Sequence, residues 1–229
     1  STDDKAQIQA GDTVTLDANV TTGQCSVLGT LTGNLSYSLT LAGSDQDNNY
    51  SNSGTVTNLN LIMTGLRASG DRTFIDVGSG IHDFTLNDTT NSGNNVHRFG
   101  NNLSISGDLT ITSGTLSTVT AAGASLGLTV AGTTTIGPNS GAADQATLTC
   151  NASTISLGAS ETSSYAVRIA QGGTFVGGSG AHTIGSLEIV DNAAAKCTLT
   201  NDVTTISSER TSENYNFVAY DGSTLDNAD

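Results

Sequence analysis

Asp45, Asp47 and Asn49 alternate along a polar stretch, the spacing at which hard oxygen ligands begin to wrap a calcium ion. The rest of the stretch departs from an EF-hand. Tyr50 stands where the sharp turn needs glycine, and Val56 stands where the bidentate glutamate belongs. The stretch therefore reads as a solvated acidic loop, with Asp45, Asp47 and Asn49 as the calcium candidate and no other cofactor expected. Gly177-Gly-Ser-Gly-Ala-His-Thr-Ile-Gly185 has the outline of a calcium-binding nonapeptide, but His182 replaces the liganding aspartate and the match occurs once. Gly78-Ser-Gly-Ile-His82 and Gly178-Ser-Gly-Ala-His182 repeat one pattern, each ahead of an apolar strand. A recurrent corner, its histidine bonded to the backbone of the neighbouring coil, is the expectation for both.

Catalytic carboxylates are the next possibility. Asp71, Arg72 and Asp76 lie close in sequence, as do His82, Asp83 and Asp88. Two carboxyl groups held roughly 5–9 Å apart can hydrolyse a glycoside. Nothing separates these acids from the others in a chain with 21 Asp and Glu. The seven Lys and Arg are dispersed, aromatic residues are scarce, and no Gly-x-Ser-x-Gly elbow occurs. An enzyme is not the expectation. Cys25, Cys150 and Cys197 are odd in number and lie in strand-like patterns, so each reads as a small buried hydrophobe. Cys150 and Cys197 are about two repeats apart, and α-carbons two strands apart stand roughly 9.5 Å from each other, too far for a disulfide. Without a CxxC pair, zinc is not expected.

Short threonine-rich β segments that return about every 23 residues must position all of these groups. Anchors fall at Leu39, Leu61, Phe84, Leu103, Leu128, Leu148, Phe175 and Leu199. A fixed period of this size is the mark of stacked units, each burying its apolar side only against its neighbours. Alternation in Ser36-Tyr-Ser-Leu-Thr-Leu41 directs Tyr37, Leu39 and Leu41 to one side. Leu and Ile are expected inward, Ser and Thr outward, with Gly107, Gly114, Gly123 and Gly132 at corners. No amphipathic helix is expected. The fold class is all-β: a single-chain β-solenoid, specifically a right-handed parallel β-helix of about eight or nine rungs. Residues 1–229 form one elongated domain, with 205–229 as a capping or docking tail that carries Tyr215, Phe217 and Tyr220.

Composition limits the partners. A formal charge of −14 argues against nucleic acid and against acidic membrane surfaces, and no run of 18 apolar residues offers a membrane span. The chain starts without Met and ends in a loop-like stretch, as expected of a processed or trimmed piece. No capping helix covers either end. Bare solenoid ends leave strand edges open, so self-association or continuation into other subunits is expected.

Gly11-Asp-Thr-Val-Thr-Leu-Asp-Ala-Asn-Val-Thr21, Val27-Leu-Gly-Thr-Leu-Thr-Gly33 and Leu103-Ser-Ile-Ser-Gly-Asp-Leu-Thr-Ile-Thr-Ser-Gly-Thr-Leu116 resemble the parallel β-helix segments of phage fibre and spike proteins and of bacterial surface adhesins. The resemblance covers most of the chain outside residues 42–58 and 205–229 and concerns fold style. It implies a structural or adhesive role at a virion or cell surface, with other appendage subunits, a surface glycan or a receptor as partners.

Overall fold

The computed structural model describes residues 4–43, 50–64, 72–74, 80–88, 96–141, 145–158, 165–190, 194–198, 204–206, 217–219 and 224–226. Among them every regular element is a β-strand, most of only three or four residues, and every ladder pairing is parallel. Strands this short persist because each is held on both sides by the same face of the neighbouring coils. Each extends until a turn residue re-aims the chain.

Three faces take strands in rotation. The first begins with Lys5–Ile8, Gln24–Val27 and Tyr50–Asn52, paired in that order. A later ladder joins Arg72–Phe74, Val96–Phe99, the end of Leu109–Ser117, Ala146–Thr149, Gly173–Val176, Lys196–Thr198 and Thr224–Asp226. The second begins with Thr13–Thr15, Thr30–Thr32 and Thr55–Thr57. Its later members are Leu103–Ile105, Leu128–Val130, Ile155–Leu157, His182–Ile184 and Thr204–Ile206. The third stacks Val20, Leu39, Leu61, Phe84, Leu109, Thr134, Val167, Leu187 and Phe217 on successive strands. This is the all-β, parallel, solenoid-like class expected from the repeat.

Alternation fills the interior. Leu39 and Leu41, Leu61 and Met63, Phe84 and Leu86, Leu109 and Ile111, and Val167 and Ile169 all point inward and are buried. The outward positions between them carry Thr40, Ile62, Thr85, Thr110 and Arg168. Thr134 breaks the pattern. It occupies an inward position between Leu109 and Val167, and its buried Oγ1 makes no hydrogen bond.

The anchors of the sequence repeat have the right period but belong to different ladders. Leu39, Leu61 and Phe84 share the third face, Leu103 and Leu128 lie on the second, and Leu148 and Phe175 on the first. The true successor of Phe84 is Leu109. Three similar short strands per repeat let the eye slip from one face to the next. Tyr37 is also corrected: it lies in a turn that ends before the strand Ser38–Leu41, where its N–H donates to the Asn34 carbonyl. Gly114 is not a loop corner. With φ of 91° it bends the chain inside the continuous strand Leu109–Ser117, passing it from the third face to the first.

Corners are tied by side chains. Asp83 Oδ1 accepts the Asp108 N–H at 2.8 Å, and Asp108 Oδ1 accepts the Thr133 N–H at 2.8 Å. Asn102 Oδ1 accepts from Gly127 N–H, and Asn19 Oδ1 from Ser38 N–H. Each of these reaches the next coil and satisfies an amide that the turn removes from the ladder. Gly178 fills another corner because a β-carbon there would overlap the Asn151 carbonyl oxygen of the coil below.

Candidate functional site

An open groove of about 230 Å³ lies on the outer surface of the first face, lined by Val96, Arg98, Thr115, Ser117, Val119, Thr149 and Asn151. Three strands supply most of it: Val96–Phe99, the end of Leu109–Ser117, and Ala146–Thr149. Alternation does the positioning. His97 and Phe99 point inward, so Val96 and Arg98 point out; Leu116 and Leu148 are buried, so Thr115 and Thr149 face the groove.

An excursion from Thr118 to Leu126 builds the wall. Leu126 N–H donates to the Thr118 carbonyl, Val119 bridges antiparallel to Ser125, and Gly123 N–H donates to the Thr120 carbonyl. Thr118 pins this wall to the body, its buried Oγ1 donating to the Cys150 carbonyl at 2.6 Å while Ser153 Oγ donates to the Thr118 carbonyl. Arg98 spans the floor, with Nη1 donating to Ser117 Oγ at 3.2 Å and to the Val119 carbonyl at 3.0 Å. Its planar guanidinium, two threonine hydroxyls and the Asn151 amide make a hydrogen-bonding surface beside the methyls of Val96 and Val119. The described lining contains no carboxylate, imidazole or thiol. No sequence motif announced the groove, because Arg98 is a lone basic residue and the wall comes from a segment without strand alternation.

The sequence-derived candidates are dispersed. Asp45, Asp47 and Asn49 lie outside the described residues, as do Asp71 and Asp76. Among the described residues, no group of three or more His, Cys, Asp or Glu side chains is placed to hold a metal. Asp83 serves the corner ladder given above. Asp88 and His97 form a buried pair, Nε2 to Oδ2 at 2.7 Å, with 0% and 1% of their side chains exposed. That pair was not foreseen, since His97 sits at an inward strand position where an aliphatic residue is the rule.

The histidines of the two Gly-Ser-Gly-x-His copies are not equivalent in the stack. His182 aligns with Ile155, while the counterpart of Ile81 in the ladder is Ile184, by way of Ile105, Val130 and Leu157. The offset between the copies is therefore odd, and one side chain turns out where the other turns in. His82 is outward, its Nδ1 3.1 Å from Ser106 Oγ, with Asp83 Oδ1 at 3.8 Å from Nε2. His182 is inward and buried, edge-on to Phe175 with ring centroids 6.5 Å apart, and burial pushes its pKa below the usual histidine value. At His82 the Ser106 hydroxyl stands where a backbone partner was expected.

All three cysteines are buried and free, as their strand-like settings suggested. Burial pushes the Cys25 thiol up to about 11 and that of Cys197 up to about 12, and it raises Cys150 as well, with Cys197 adding to the effect. No protein-family model, curated protein or solved structure matches the chain.

Proposed function

We propose that the chain is a structural component of an extracellular or virion appendage, of the phage fibre or spike kind, serving as a rigid scaffold with an adhesive surface. The observation that carries this reading is the third-face ladder from Val20 to Phe217, which runs through nearly the whole chain on three short strands per repeat. Such a ladder spends its residues on length and stiffness. Read as a right-handed winding, the hand that parallel β connections adopt, the repeat amounts to about eight or nine coils. The engaged state of Asp83, Asp88 and Asp108 supports a non-catalytic role. The Arg98 groove is the surface from which a saccharide or receptor group would be held.

Gold-labelled antibody against the chain, applied to intact particles and cells of the source, tests the proposal. Label on projecting appendages is the expected result, and label confined to the cell interior overturns it. A bacterial or archaeal surface adhesin shares the same physics and corresponds to label on the cell envelope.

A further inference from the structure

Thr13, Thr30 and Thr55 stand in register on successive strands of the second face, and Thr15, Thr32 and Thr57 repeat the arrangement one pleat further on. Val14, Leu31 and Val56 lie between the columns; Leu31 and Val56 are 2% and 5% exposed and Val14, on the opening strand, is 41% exposed, so the alternation turns the threonines away from the core. Thr13, Thr15, Thr55 and Thr57 are exposed, and Thr30 and Thr32 are half-buried. Parallel pairing fixes the mesh at roughly 4.8 Å between strands and roughly 6.6 Å between alternate residues. Threonine is stiff at χ1, so backbone order is passed on to the methyl and hydroxyl of each side chain.

The grid itself carries no charge, on a chain whose formal charge is −14. Its partner should therefore be uncharged and should itself repeat in two dimensions. Crystalline polysaccharide and crystalline water are two such surfaces. Sugar rings are gripped by stacking on exposed aromatic rings, yet Tyr50, Phe84, Phe99 and Phe175 are all fully buried and the grid has none. Alternating methyls and hydroxyls on a stiff mesh suit water instead. Methyls order the water around them, hydroxyls bond into it, and the mesh is close to the oxygen repeats on a face of hexagonal ice.

We propose that the threonine face of Thr13–Thr15, Thr30–Thr32 and Thr55–Thr57 binds ice. This inference does not rest on the appendage reading.

The test freezes a solution of the full chain slowly and measures how much protein enters the growing polycrystalline ice. Thr32→Lys places a charged, bulky side chain in the grid, and Thr135→Lys makes the same change on the third face as a control. Thermal melts followed by circular dichroism establish that both variants are folded. The expected result is enrichment of the wild-type chain and of T135K in ice, with T32K falling to the level of a non-binding protein. Exclusion of the wild-type chain from ice overturns the proposal, as does equal partitioning of T32K and wild type, or equal loss in both folded variants. Retention of the wild-type chain on crystalline cellulose or chitin together with exclusion from ice also overturns it.

Discussion

Single side chains inside the solenoid are judged by a narrow standard, because each inward position is sandwiched between the coils above and below. Thr134 has the shape of valine but carries a buried hydroxyl that makes no bond. Thr134→Val should raise stability by about 1 kcal/mol, since the group removed was desolvated without a partner; a lower midpoint in urea denaturation would contradict that. His182 has a pKa depressed by burial, so the unfolded chain takes up the proton first as pH falls. Its contribution is intact above the ordinary value near 6.5 and declines as pH drops from there toward the folded value. His182→Leu should therefore flatten the fall in stability below about pH 6.5, measured as the denaturation midpoint against pH. The cysteines should resist modification. Buried thiols with raised pKa values predict no reaction of Cys25, Cys150 or Cys197 with a thiol reagent at pH 8 until the chain is unfolded, and rapid labelling under native conditions would refute this.

At the scale of the element, the corners carry as much information as the strands. Gly178→Ala should cost about 1–3 kcal/mol, because its β-carbon would meet backbone rather than a side chain able to move aside. Gly11→Ala meets nothing, and its cost should be limited to the strain of a φ of 91°. Comparative urea melts of the two variants check the order. Much of this level was legible in the sequence. The alternation in Leu103-Ser-Ile and Leu128-Thr-Val gives the inward and outward sides correctly, since a period of two is a local property of extended chain. What stayed hidden depends on which face a strand joins. Leu103 and Leu109 look alike in sequence, yet they sit on different ladders, and the odd offset of the two histidine motifs could be seen only from pairing partners. The Arg98 groove was illegible for the same reason: Arg98, Ser117 and Thr149 are brought together by register alone.

The three faces differ in their outer surfaces: a threonine grid near the start of the second, a column on the third in which threonines give way to Ile62, Arg168 and Glu188, and the Arg98 groove on the first. At the opening coil, Val14 and Val20 occupy core-facing columns yet are 41% and 38% exposed. The measurement that bears most directly on the appendage proposal is cryo-electron microscopy of the native material carrying this chain. The account predicts slender rods with a repeat of roughly 4.8 Å along the axis, joined to other subunits and projecting from a virion or a cell envelope. Discrete unassembled particles, free of any envelope or virion, would contradict it.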